Sequence, residues 1–284
     1  MIRWPSPAKL NLFLYITGRR PNSSYHNLQT LFQFLDYCDY LTFQVREDTE
    51  INLLTPIKNV PDQSNLIVIA AKLLRLYALE NKIHTDKPMG VDISIEKILP
   101  MGGGIGGASS NAATVLVAMN KLWDLNLSTE QLMDLGRKIG ADVAIFIYGH
   151  CAFAEGVGDQ FQPVHVAEKW YIVARPDVEI STAKVFGEPD LKRDSVTKNI
   201  TELLNSPFSN DCEPVVRQQY PEVDRVIRTL SKHSLARLTG TGSCVFAEFE
   251  SEAKARQVQQ CLPDDIESFV AKGVNYSPLL NFSA

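Results

Sequence analysis

The sequence predicts a protein built from both α and β structure, and three observations predict it. Residues 91–95, Val-Asp-Ile-Ser-Ile, alternate apolar and polar side chains, the period of a half-buried strand. Residues 65–80 carry Ile69, Leu73, Leu76 and Leu79 at spacings of three and four, the period of a helix. Residues 109–123 show the same helical spacing in Val115, Met119 and Leu122. They follow a segment with five glycines in six positions, Gly102, Gly103, Gly104, Gly106 and Gly107.

From the N-terminus, residues 10–16 are apolar enough for a strand, with Lys9 at its start. Residues 19–24 are rich in breakers and read as a turn. Residues 28–41 are aromatic and apolar and lead to a strand at 41–45. The helix at 65–80, the strand at 91–95 and the helix at 109–123 follow. Residues 129–139 form a further helix, broken by Gly140-Ala-Asp142 before 143–148. Residues 152–154 are extended, 155–158 turn, and 170–174 form a strand. Residues 215–230 read as one helix, kinked or restarted at Pro221. A strand ending at 247–249, a charged helix at 251–261 and a last strand at 269–274 complete the chain, with no internal repeat or long linker.

At 284 residues, 45% hydrophobic and 21% charged, the chain can bury a large core. A net charge of −5 makes nucleic acid an unexpected partner. Cys38, Cys151, Cys212, Cys244 and Cys261 are odd in number and show no C-x-x-C pair, so free thiols are expected, not disulfides or a zinc site. The five histidines form no H-E-x-x-H. No run approaches the roughly 18 apolar residues of a membrane span, and residues 1–7 lack the apolar core of a signal peptide. A cytoplasmic protein without a membrane partner is expected, monomeric or weakly dimeric.

A glycine loop feeding a helix start leaves backbone N–H groups unpaired at the positive end of the helix dipole, which is an anion site. Five glycines in six positions cost too much chain entropy for a bland turn. A P-loop is excluded, because Ala108 follows Gly107 and the next lysine is Lys121. Gly102, Gly104 and Gly107 formally match G-x-G-x-x-G. The helix runs into a second helix, however, where a dinucleotide fold requires a strand ending in an acidic residue.

Glycine loop, Ser-Ser and helix, without a loop lysine, resemble the second motif of the GHMP kinases. Pro7-Ala-Lys-Leu-Asn-Leu-Phe-Leu14 resembles the first motif of that family, and Leu238-Thr-Gly-Thr-Gly-Ser-Cys-Val-Phe246 the third. Lys9-Leu-Asn11, Tyr25-His26, Gly140-Ala-Asp142 and Gly-Gly-Ala-Ser-Ser-Asn at 106–111 are similar to the branch that phosphorylates cytidine diphosphate methylerythritol. The resemblance implies a two-domain α+β fold, with an ATP-binding domain at 1–156, a substrate domain at 157–284 and the last dozen residues returning to the first. It implies ATP and Mg2+ as cofactors, the magnesium ligands being left open. Another GHMP kinase, acting on mevalonate, homoserine or a sugar, and a non-catalytic nucleotide-binding relative are the alternatives.

The roles that the resemblance implies fall on particular residues. Asp142 would accept the substrate's hydroxyl proton, and Lys9 would offset charge on the transferring phosphoryl group. Taken alone, Asp142 could instead N-cap the next segment, and Lys9 could be a surface lysine at a strand start. Pro100, Met101, Gly102, Gly103, Gly104, Ile105, Gly106, Gly107, Ala108, Ser109 and Ser110 would hold the ATP phosphates, either serine being able to cap the helix. Asn65 and Lys97 would meet the purine end, though an ordinary cap and a solvated charge would look the same. Tyr25, His26 and Phe186 would hold the cytosine, Asn11 the alcohol, and Gly240 and Thr241 the diphosphate, with Phe32 in the same group. The chain departs from the family pattern at Arg20-Pro-Asn-Ser-Ser24, where the family usually reads Arg-x-Asp-Gly. This turn is one residue longer and has no glycine.

Overall fold

The computed structural model describes residues 2–280 and 282, apart from 22 and 24, so the lengthened turn at 20–24 falls partly outside the described residues. The chain begins with β1 (Trp4–Arg19) and β2 (His26–Arg46), an antiparallel pair. There follow β3 (Ile51–Leu53), α1 (Leu66–Glu80), β4 (Gly90–Glu96), α2 (Gly107–Leu122), α3 (Thr129–Ile139), α4 (Val143–Tyr148), β5 (Ala152–Glu155) and β6 (Gln160–Pro163). The remainder runs β7 (Trp170–Arg175), α5 (Thr182–Gly187), α6 (Ile200–Leu204), α7 (Glu213–Gln219), α8 (Pro221–Leu230), β8 (Ala236–Leu238), β9 (Val245–Phe249), α9 (Glu252–Gln259) and β10 (Glu267–Val274).

Among the described residues the strands form one sheet, in the order β3-β4-β2-β10-β7-β9-β8, with β1 and β5 also on β2. The sequence splits 28–45 into an apolar stretch and a strand; the structure makes it part of one strand of 21 residues. The cause is non-local, since β2 pairs β5 at 30–32, β10 at 34–35 and β4 at 40–46. Lys9 is likewise not at a strand start but well inside β1, opposite Phe34. The helix at 215–230 is restarted at Pro221, one of the two outcomes read for it, so that α7 and α8 are separate and Pro221 takes the first position of the second.

Helix α1 starts where its pattern begins, but the residues that mark its period are not the ones it buries. Ile67, Ala70, Ala71, Leu74 and Ala78 face the core, whereas Leu76 and Leu79 are more than half exposed. Alanines on that face let α1 lie close to α2, itself lined by Ala112, Ala113 and Ala118. One core lies between the sheet and α1–α4, and Leu279 near the C-terminus packs into it. A second lies under α7, α8 and α9. A third joins the two halves, through Leu10, Phe13, Leu31 and Ile105 from one side and Tyr171, Cys244 and Phe246 from the other.

At that junction the glycine loop lies against the turn at 239–244. The Cys244 N–H donates to the Gly103 carbonyl at 3.0 Å, and a Cβ added at Gly103 would overlap Cys244 Sγ. Gly103→Ala is therefore expected to destabilise the protein by about 1–3 kcal/mol in urea unfolding, the usual cost of overpacking a filled core. Cys244→Ala in the same chain removes the sulfur and should recover part of the loss. Strictly additive losses would mean that this contact is not the cause.

Candidate active site

The glycine loop turns through positive φ at Gly102 (71°), Gly104 (73°) and Gly106 (78°), where a side chain would be strained. Gly106 is the N-cap of α2 and supplies no side-chain cap. Ser109 and Ser110 thus do not cap the helix, as their position allowed; they lie inside its first turn, Ser110 fully buried. The uncapped first-turn N–H groups border a cleft of about 470 Å³, lined by Asn65, Lys97, Pro100, Met101 and residues 102–109. Three buried polar atoms beside the loop have no hydrogen-bond partner among the described residues: Asn65 Nδ2, Ser110 Oγ and Asn111 Oδ1. Polar groups left in this state are unfavourable unless a ligand or water meets them.

Asn65 also has a structural task, since its Oδ1 accepts from the Ile67 N–H at 3.0 Å and caps α1. The Lys97 ammonium is held by Asp39 at 2.9 Å and by the Leu99 carbonyl. Asp39 is fully buried and also accepts from the Ile98 and Leu99 N–H groups, each at 2.7 Å. Lys97 is therefore tied into the cleft wall and is not the solvated charge that its sequence position also allowed.

A second cleft, of about 730 Å³, is lined by Lys9, Asn11, Tyr25, His26, Phe32, Phe186, Gly240 and Thr241. All eight were singled out from the sequence, and they come from four separate stretches of chain. Gly104, Asp142 and Thr182 line both clefts, so the two spaces meet there. Thr182 bonds Thr241 across the cleft wall, Oγ1 to Oγ1, at 2.9 Å.

Lys9 stands beside that meeting point. Its side chain is 3% exposed, and its Nζ lies 3.2 Å from Asp142 Oδ2. The ammonium donates to Asn11 Oδ1 at 2.6 Å and to the Gly104 carbonyl at 3.0 Å, and it lies 5.3 Å from the Phe32 ring centre. Irregularities in the β1–β2 register fall between Pro7 and Lys9 and between Asn11 and Leu14, bracketing the two site residues. Such bulges re-aim side chains without breaking the sheet. Asp142 sits at the N-cap position of α4, yet its side chain caps nothing. Its carboxylate, 40% exposed, is left to Lys9 and the clefts.

At the far end of the larger cleft the His26 ring stacks on Phe186, centres 5.1 Å apart and planes 23° from parallel. Burial, and after it the charges of Arg193 and Arg19, holds the imidazole below the ordinary histidine range. Tyr25 is 59% exposed at the mouth. Sequence reading missed Thr182, Asp39, Arg193 and Thr30, whose Oγ1 accepts from Asn11 Nδ2 at 2.8 Å. Each belongs to no motif, and only the fold brings it to the site.

Two family models match the chain: GHMP kinases N terminal domain over residues 65–150 and GHMP kinases C terminal over residues 190–267. Together they span more than half of it. A solved 4-(cytidine 5'-diphospho)-2C-methyl-D-erythritol kinase is similar at a TM-score of 0.80 and 28% identity, covering 96% of this chain and 99% of that one. The Methanococcus jannaschii mevalonate kinase matches at a TM-score of 0.70 and 18% identity, over 96% and 98% of the two chains. Homoserine kinase from Cytophaga hutchinsonii matches at 0.68 and 16%, over 97% and 94%. The last two likenesses establish the fold alone. No helix among the described residues is long and apolar enough to cross a membrane. The chain belongs to the GHMP kinases, two-domain enzymes of mixed α and β structure that phosphorylate small molecules.

Proposed function

We propose that this protein transfers the γ-phosphoryl group of ATP to the 2-hydroxyl of 4-diphosphocytidyl-2-C-methyl-D-erythritol, yielding the 2-phosphate and ADP for non-mevalonate isoprenoid synthesis. The observation that carries this reading is the junction of two clefts at Asp142, 3.2 Å from a buried lysine. Phosphoryl transfer asks for in-line placement and charge stabilisation more than for covalent work. ATP occupies the smaller cleft, with its phosphates toward the glycine loop and the first turn of α2. The orphaned Asn65 Nδ2 and Asn111 Oδ1 belong to residues that line that cleft and support a polar ligand there.

The alcohol occupies the larger cleft. An aromatic end of Tyr25, His26 and Phe186 suits a pyrimidine ring. Gly240, at φ 58°, and the Thr241 hydroxyl suit the diphosphate. Asn11 and Asp142 meet the methylerythritol. Asp142 orients the attacking hydroxyl and takes its proton late, because a carboxylate is a far weaker base than an alkoxide. The Lys9 ammonium offsets charge on the transferring group. On this reading residues 1–156 carry the nucleotide and 157–284 complete the alcohol's cleft.

GHMP kinases generally use magnesium with ATP. Among the described residues no group of three His, Cys, Asp or Glu side chains could hold a metal ion. Magnesium at kinase sites is bound largely through substrate phosphates, and the Ser109 hydroxyl at the cleft could join them. When bound, the ion would neutralise phosphate charge.

ADP release should be measured with the cytidyl substrate, mevalonate and homoserine side by side. Turnover is expected with the cytidyl substrate alone; turnover only with another alcohol would keep the kinase and discard the cytosine subsite. Asp142→Asn should lower kcat by about 10²–10⁴-fold, the range for a positioned acid–base group, with unchanged far-UV circular dichroism. Near-normal turnover would refute the role given to Asp142. Lys9→Met should lower kcat at least about 100-fold with unchanged far-UV circular dichroism, and should cost about 1–3 kcal/mol of stability because the buried Asn11 Oδ1 loses its donor. Turnover within a few-fold of wild type would overturn the charge role given to Lys9.

A further inference from the structure

Arg193, between α5 and α6, belongs to no motif, yet its guanidinium is fully engaged. Nε donates to His26 Nε2 at 3.2 Å. Nη1 donates to the Pro189 carbonyl at 3.4 Å and the Leu191 carbonyl at 2.9 Å. Nη2 donates to the Phe186 carbonyl at 2.9 Å and the Glu188 carbonyl at 2.5 Å. The five N–H donors of an arginine thus meet five acceptors. Four of these lie on the segment that carries Phe186, and the fifth is the imidazole stacked on the Phe186 ring. One side chain sets both members of the stack.

We propose that Arg193 is a positioning residue that holds His26 as the neutral, Nδ1-protonated tautomer and locks its ring against Phe186. A guanidinium cannot give up its proton, so Nε must donate and Nε2 must present its lone pair. A neutral imidazole with a bare Nε2 carries its proton on Nδ1. The charged groups facing the ring, Arg193 and Arg19, are both cations and oppose a second proton. His26 therefore offers the larger cleft a fixed donor, Nδ1–H, for an acceptor on the ligand. Lysine could not replace Arg193, because one ammonium cannot reach acceptors spread around a planar fork. That the acceptor belongs to a pyrimidine rests on the proposed function; the tautomer does not.

The direct test is the 15N spectrum of histidine-labelled wild-type protein near pH 7.5, with the His26 signals assigned by their loss in His26→Asn. A pyridine-type Nε2 and a protonated Nδ1 are expected; a protonated Nε2, or an imidazolium, overturns the proposal. This readout needs no substrate, and only the assignment uses a variant. Kinetics gives the second arm. Arg193→Met and Arg193→Lys should each raise KM for the cytidyl substrate about tenfold, the scale of one hydrogen bond, with kcat within about threefold and KM for ATP unchanged. In the double variant Arg193→Met/His26→Asn the loss should be no greater than that of the worse single variant. Losses that multiply would show that Arg193 does not act through His26. A wild type inactive on the cytidyl substrate would defeat the proposed function, and the spectrum would still decide the tautomer.

Discussion

The buried ammonium of Lys9 is the constraint on which the site depends. A cation taken out of water is tolerated only where polar groups replace its hydration shell. Here those groups come from three places: Asn11 on the same strand, the Gly104 carbonyl of the glycine loop and the Asp142 carboxylate at the break between α3 and α4. Satisfying one charge therefore fixes three segments relative to each other. The fit leaves little room, since a Cβ at Gly106 would come within 3.3 Å of Lys9 Cε and closer still to the Phe146 ring. The loop's glycines answer to packing as well as to the conformation of their own backbone.

The same loop ties the two halves of the molecule together. Gly103 meets Cys244, and a Cβ at Gly104 would strike the Thr239 and Gly242 carbonyls. Asn210 braces the far side of that turn, with Nδ2 donating to the Leu238 and Gly240 carbonyls. Close backbone approach at this seam lets the third motif face the second, and both clefts reach Gly104. The reaction proposed at the junction of the two clefts needs such a shared wall. A shared core stiffens it.

Much of the fold was legible along the chain. The helix at 129–139 has the bounds read for it, and the capping box of Ser128 and Gln131 explains why local signals sufficed. Legibility failed where contacts are long-range. The length of β2 follows from four strands that pair with it, and the exposed face of α1 follows from the alanines that α2 requires. Neither is a local propensity. At the site, sequence marked the residues that belong to motifs and missed those that hold them, such as Asp39 behind Lys97 and Thr30 behind Asn11.

The sequence by itself marked the glycine loop and the helix that follows it, because glycine spacing and helical period are local chemistry. It also determined, through resemblance, which lysine and aspartate to pair. Only the tertiary structure decided that Lys9 is buried, that Asp142 caps nothing and that Ser110 is fully buried. Burial and partner choice depend on segments far apart in the chain, here residues 9, 104 and 142, whose meeting no local pattern encodes.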